Sequence, residues 1–231
     1  VDERIERLLT WSRGGRAYPL IIEVSPTLRC NLNCLFCWRF GKRTIKSDEL
    51  PFGRYVQLVD EAAQLGVREV RIIGGGEPLA RRDTPRLMQL IKRRGMAGYI
   101  CTNGTLFDEL WIERLVRLGW DHVKVSLHGV DASTHDRLVN CAGAFDRVMR
   151  VLRSFVRWKE RLGSAKPLLE LGVVLVKPNY RQIPDIVQMA SDLAIQLVFV
   201  EPVTVYTPEG SKLKLDDGES VAFQQIAAQA K

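Results

Sequence analysis

Short apolar runs rich in β-branched residues alternate with longer amphipathic stretches along almost the whole chain. That alternation leaves few architectures open. The short runs fall at 20–25, 69–73, 98–101, 122–127, 168–176 and 196–200, and each reads as a strand. Helical periodicity marks 52–65, 84–94, 109–118, 145–162 and 181–193, with a sixth helix at 220–230 and a short N-terminal helix at 2–12. Asp48, Asp83 and Asp108 stand at or near helix starts, and Gly66, Gly95 and Gly119 at helix ends, where capping preferences place them. The pattern predicts an α/β fold of six βα units on parallel strands. A partial barrel and a doubly wound open sheet both satisfy it.

At 231 residues the chain is long enough for one sizeable domain. No apolar run approaches the length of a membrane span, and Val1-Asp2-Glu3-Arg4 is not a secretory signal. The net charge of +7 raises a nucleic-acid reading, but the basic residues are scattered, as in Arg81-Arg82 and Lys92-Arg93-Arg94, without interleaved aromatics. Solvated helix faces account for them. What remains of the charge argument favours an acidic partner, such as an electron-donor protein, or a phosphorylated substrate.

Cys30, Cys34 and Cys37 lie within eight residues in the spacing C-x-x-x-C-x-x-C, on a loop leaving the first strand. The chain has five cysteines, an odd count with three in one loop, which argues against a secreted disulfide framework and for a reduced cytoplasmic metal site. Three thiolates on one loop hold three irons of a cubane and leave the fourth with an open position, as catalytic metal sites do. A saturated cluster or a Zn²⁺ module, completed by Cys101 or a histidine, is the non-catalytic alternative. Cys101 reads more simply as a small buried side chain, and Cys141 has no partner at a recognisable metal spacing.

The cysteine run, with Phe36 just before its third member, resembles the cluster motif of the radical S-adenosylmethionine (SAM) enzymes. Gly74-Gly75-Gly76-Glu77-Pro78, about forty residues on, resembles that family's SAM-binding turn. The resemblance runs from about residue 20 to 204 and is specific only at these two motifs. It implies a six-unit partial (βα)6 TIM-like barrel, an oxygen-sensitive [4Fe–4S] cluster on Cys30, Cys34 and Cys37, and S-adenosyl-L-methionine bound at its vacant iron. It further implies that the cofactor-binding turn Gly75, Gly76 and Glu77, stiffened by Pro78, binds the methionyl amino group, that Phe36 lies near adenine, and that Thr102, Asn103 and Ser126 meet the carboxylate or ribose. The implied reaction is reductive cleavage of SAM to a 5′-deoxyadenosyl radical that abstracts hydrogen from a substrate, an oxidoreductase chemistry served by flavodoxin or ferredoxin. Ser126–Gly129 with Thr134-His135-Asp136-Arg137 resembles the molybdenum-cofactor-synthase-like branch, which modifies peptides or builds cofactors and often carries a C-terminal cysteine-rich extension. No cysteine follows Cys141, so such an extension is expected to be absent from this chain. The expected layout is an N-terminal helical extension at 1–18 and a core at 19–231. A glycyl-radical-enzyme activase is the alternative job within the family.

Each distinctive motif follows a strand, so the C-terminal strand ends share one rim, the working face of parallel βα folds. Lys177, Asn179, Glu201 and His128 are candidate rim residues, and Trp38 and Arg39 follow the cysteine loop directly. Within the fourth strand, Val123, Val125 and Leu127 share one face, and Lys124, Ser126 and His128 the other. Glu23 and Glu170 interrupt apolar strands in the same way. A charge network of Glu23, Lys124 and Glu170 is therefore expected inside the barrel, because unpaired charges there are costly.

Overall fold

The computed structural model describes residues 2–41 and 49–229. Its six strands are β1 Ile21–Val24, β2 Glu69–Ile72, β3 Ala97–Thr102, β4 His122–Ser126, β5 Leu168–Leu175 and β6 Leu197–Pro202. They form one all-parallel sheet in the order β1-β2-β3-β4-β5-β6. Sequential order with parallel pairing makes every connection a crossover on one side, which curls the sheet toward a barrel. β1 and β6 do not pair, so the sheet stays open.

The helices are α1 Glu3–Ser12, α2 Phe52–Gln64, α3 Thr84–Arg93, α4 Glu109–Leu118, α5 Ala132–Val139, α6 Ala144–Leu162, α7 Ile183–Asp192, α8 Pro208–Ser211 and α9 Asp217–Gln229. Their apolar stripes cover the outer face of the sheet. Val70, Ile72, Ile100, Val123, Val125, Leu169 and Leu171 are fully buried there with Leu87, Ile91, Ile112 and Leu152 from the helices. The caps are mostly where residue type places them. The Asp108 carboxylate accepts from the Trp111 N–H at 2.8 Å, and Gly119 closes α4 at φ 64°. Asp83 stands at the start of α3 but makes no capping bond, because its carboxylate is held by the Arg81 guanidinium. Asp48 lies outside the described residues, as does Ala230 at the end of the sixth expected helix.

Period two holds in β4: Val123 and Val125 are buried against helices while Lys124 and Ser126 face the concave side. The expected charge network forms only in part. Lys124 lies directly across from Glu170, with Nζ 3.2 Å from its carboxylate. His122 Nε2 reaches the same group at 2.8 Å. Glu23 belongs to a different pair. It is exposed, register sets it beside Arg71, and the two lie 3.9 Å apart. α1 docks beneath the sheet through Arg7, which donates to the carbonyls of Tyr18 and Gly66 at 2.8 and 2.7 Å.

Candidate functional site

The cysteine loop is fastened at both ends. At its start the Gly75 N–H donates to Ser25 Oγ at 2.8 Å, and the Gly76 and Glu77 N–H groups donate to the carbonyls of Thr27 and Arg29 at 3.1 and 2.8 Å. This stitching requires glycine. A Cβ on Gly76 would lie 2.1 Å from the Arg29 carbonyl oxygen, and one on Gly75 would lie 2.3 Å from Leu28 Cδ2. At the other end the Leu35 and Asn33 N–H groups donate to Leu138 and Val139 carbonyls at 2.9 and 3.4 Å. Those carbonyls belong to the last turn of α5, a helix the periodicity reading missed.

Held this way, Cys30, Cys34 and Cys37 line one wall of a cavity of about 390 Å³ at the C-terminal strand ends. Burial pushes the Cys30 and Cys34 thiols up, and for Cys34 the neighbouring Cys30 and Cys37 sulfurs add to the effect. Crowded, desolvated thiolates need a positive partner, and a metal centre that displaces their protons supplies one. Among the described residues no three His, Cys, Asp or Glu side chains converge as they would on a single metal ion.

Every expected site residue except Pro78 lines this cavity: Phe36, Gly75, Gly76, Glu77, Thr102, Asn103 and Ser126. Pro78 is buried behind the turn, where it starts a 3-10 helix. Glu77 is only 2% exposed. Its Oε1 accepts from Thr102 Oγ1 at 2.7 Å and from the Leu79 N–H at 3.1 Å, while Oε2 accepts from the Asn103 N–H at 2.7 Å. Burial pushes this carboxyl up against the pull of those three bonds. Oε2 keeps one acceptor position beyond the Asn103 N–H. Thr102 also accepts from the Gly104 N–H at 3.0 Å, so its hydroxyl serves the turn. Asn103 Nδ2 donates to Asn31 Oδ1 at 3.0 Å, tying β3 to the cysteine loop.

Phe36 stands edge-on to His128 with ring centroids 4.8 Å apart. His128 in turn stacks on His135 at 5.7 Å. The Val174 N–H donates to His128 Nδ1, and the His128 N–H to His135 Nδ1, both at 3.1 Å. Each neutral ring therefore carries its proton on Nε2. Burial holds both below the usual imidazole range, His128 at about 3 and His135 at about 4. Arg39 and His135 are among the residues at the cavity, and their buried Nε and Nε2 have no hydrogen-bond partner among the described residues.

Glu201 and Cys101 also line the cavity, so Cys101 is not merely core; burial pushes its thiol up to about 12 despite Lys124 nearby. Two other rim candidates point elsewhere. Lys177 pairs with Asp216 and Glu219, each at 3.0 Å, and anchors the start of α9. Asn179 is fully buried and donates to the carbonyls of His128 and Val174 at 3.0 and 2.8 Å. Its role is to shape the turn after β5. Cys141 packs behind Leu32, Cys30 and Cys34, and Arg147 Nη2 lies 3.1 Å from its sulfur.

Residues 24–157, more than half of the chain, match the Radical SAM superfamily. The chain belongs to that superfamily. Among radical SAM relatives it is 32% identical over 210 residues to Fe-coproporphyrin III synthase of Methanosarcina barkeri, covering 91% of this chain and 49% of that protein. It is 29% identical to PqqA peptide cyclase of Granulibacter bethesdensis over 81% of this chain and 48% of that protein. The fold matches that of Streptococcus suis SuiB bound to S-adenosylmethionine, with TM-score 0.78 and 21% identity over 97% of this chain and 50% of that one. The chain thus spans about half the length of the relatives it matches, and those relatives bear the names of enzymes. Radical SAM neighbours share the partial, unclosed barrel, which decides between the two architectures that alternation left open. Among the described residues no helix is long and apolar enough to cross a membrane.

Proposed function

We propose that this chain is the core of a radical SAM enzyme in which Cys30, Cys34 and Cys37 hold a [4Fe–4S] cluster beside bound SAM. The observation that carries this reading is the pairing of the cysteine loop with the glycine turn. Three partly buried thiols and the Gly75–Glu77 backbone, about forty residues apart in sequence, are stitched to one another and line one cavity. The residues fit the implied groups: three sulfurs on one loop, and a glycine turn that only glycine lets pack against that loop.

The chemistry supplied by the bound groups is one-electron cleavage of the sulfonium C–S bond, with hydrogen abstraction from substrate by the resulting 5′-deoxyadenosyl group. The chain binds, orients and shields. The remaining acceptor position on Glu77 takes the methionyl ammonium, the glycines allow close backbone approach, and Ser126 and Asn103 offer polar groups to the carboxylate or ribose. Phe36 supplies an aromatic surface for adenine. Residues 19–231 form the core, and 1–18 an extension docked by Arg7. Peptide-modifying and cofactor-building relatives support a substrate from one of those classes. The basic surface suits an acidic flavodoxin or ferredoxin as electron donor, and free thiols with an oxygen-labile cluster suit the cytoplasm.

Anaerobic reconstitution tests the reading. The chain should bind about four irons and release 5′-deoxyadenosine from SAM under reduction, while Cys34→Ala loses both. Wild-type product formation by Cys34→Ala overturns it, as does spectroscopy showing all four irons already ligated by protein.

A further inference from the structure

Six of the chain's basic residues and two of its acidic ones fall on α6, so this helix alone carries a net +4 of the total +7. Arg147, Arg150, Arg153, Arg157 and Arg161 recur every three or four residues. That spacing gathers along one side of the helix charges that look scattered in the sequence. Arg150, Arg153, Arg157 and Arg161 are exposed. Of the five, Arg157 alone forms an ion pair among the described residues, with Glu109 at 2.6 Å. Glu109 is further occupied by Ser154 Oγ, which donates to it at 2.6 Å. The helix's own carboxylates sit at its two ends: Asp146 in the first turn, where it answers the helix dipole, and Glu160 in the last.

The stripe begins behind the cysteine loop, and two separate contacts tie it there. Arg147 Nη2 lies 3.1 Å from Cys141 Sγ, and Cys141 packs on the same small apolar cluster as Cys30 and Cys34. Arg147 and Arg150 also line a surface hollow of about 260 Å³ with Thr105. Asn31, the exposed residue that follows Cys30, donates to Thr105 Oγ1 at 2.8 Å. Electron transfer weakens steeply with distance, so a carrier protein has to seat where the residues around the thiols come to the surface. Here that place is flanked by unpaired positive charge.

We infer that the arginine stripe of α6 is the docking face for an acidic one-electron carrier protein, which reduces the thiol-bound cluster from the side of the cysteine loop nearest Arg147. The inference rests on the cluster reading above. One electron leaves the carrier's reduced flavin or iron–sulfur centre and enters the cluster; no bond is made or broken, and the charge balance needs no proton. Guanidinium groups meet surface carboxylates bidentately, and a field of one sign steers an opposite partner onto it. A nucleic acid would feel the same field. None of the largely exposed aromatic residues lies on α6, however, so a base has no ring to stack on there.

The test uses the full chain with its cluster reconstituted, and reads the rate of cluster reduction by anaerobic stopped-flow absorbance. Flavodoxin hydroquinone and reduced ferredoxin serve as acidic carriers, and photoreduced deazaflavin as a small uncharged reductant. Wild-type reduction by at least one carrier should slow about tenfold between about 0.01 and 0.1 M salt, as the Debye length shortens from about 30 to about 10 Å. Arg150→Glu combined with Arg153→Glu should lower the carrier-driven rate about tenfold at the lower salt, while deazaflavin reduces it like wild type. Arg82→Glu combined with Arg93→Glu makes the same charge change on exposed residues outside α6 and should lose far less. A salt-independent wild-type rate overturns the inference, and this readout needs no variant to fold. So does an α6 variant that takes electrons from the carriers like wild type, or an equal loss in both double variants. An α6 variant that loses affinity for single-stranded RNA but keeps its carrier-driven rate also overturns it, assigning the stripe to nucleic acid. A wild-type chain reduced by deazaflavin but by neither carrier fails this inference alone. One that takes up no iron fails the cluster reading, and the inference with it.

Discussion

The main-chain N–H of Asn103 donates to Glu77 Oε2 at 2.7 Å, joining the glycine turn after β2 to the end of β3. This bond and its two companions make Glu77 the strut that fixes the turn's height above the sheet. Glu77→Gln presents an amide where an acceptor is needed, and should lower stability by about 1.5–3 kcal/mol. Urea unfolding measures that loss. Calorimetric titration should show weaker SAM binding with iron content retained, and undiminished affinity would mean that Glu77 does not face the cofactor.

Gly76→Ala should separate the turn from the cysteine loop. The added carbon meets a main-chain oxygen at 2.1 Å, which no rotamer change relieves. A destabilisation of about 1–3 kcal/mol is expected, with iron uptake per chain falling as the loop shifts. Full iron loading in this variant would show that the stitching is dispensable.

The ion pair of Lys124 and Glu170 lies on the concave face with both side chains largely buried. Glu170→Leu strands the ammonium against the Phe199 ring, 3.9 Å from its centroid, and should cost about 3–5 kcal/mol. Lys124→Met added to Glu170→Leu should recover much of that loss. A double-mutant cycle measures the coupling, and additive losses would count against it.

The stacked pair His128 and His135 sets an acid limit. Both are buried neutral, with protonation pushed down to about 3 and about 4. Unfolded histidine takes a proton near pH 6.5. From there down to the folded value the unfolded chain binds the extra proton, so stability present above pH 6.5 is lost as pH falls. Each ring contributes a slope of roughly 1 kcal/mol per pH unit across that window. Unfolding free energies of the cluster-free chain between pH 7 and 4 should show it, and His135→Asn should flatten the curve.

Much of this was legible in the sequence. Strand positions followed from β-branched runs, and the shared rim from the motifs that follow them. What escaped was local or depended on register. α5 spans only Ala132–Val139, and two of its four buried positions are the polar Thr134 and His135, which an apolar pattern does not mark, yet Asp131 caps it by accepting from the Thr134 N–H at 2.8 Å. That Asp-x-x-Thr start was the available signal. The partner of Glu23 depended on the β1–β2 register, which sets it beside Arg71. Lys177 and Asn179 looked alike as polar turn residues. Composition does not say that one reaches outward to Asp216 while the other turns inward to the His128 carbonyl.

The loop bearing the thiols is tied down by main-chain bonds to Gly76, Glu77, Leu138 and Val139, a support that does not depend on what the thiols hold. On the proposed cluster reading, a metal-free chain should keep its architecture and take up iron without refolding, which circular dichroism before and after reconstitution measures.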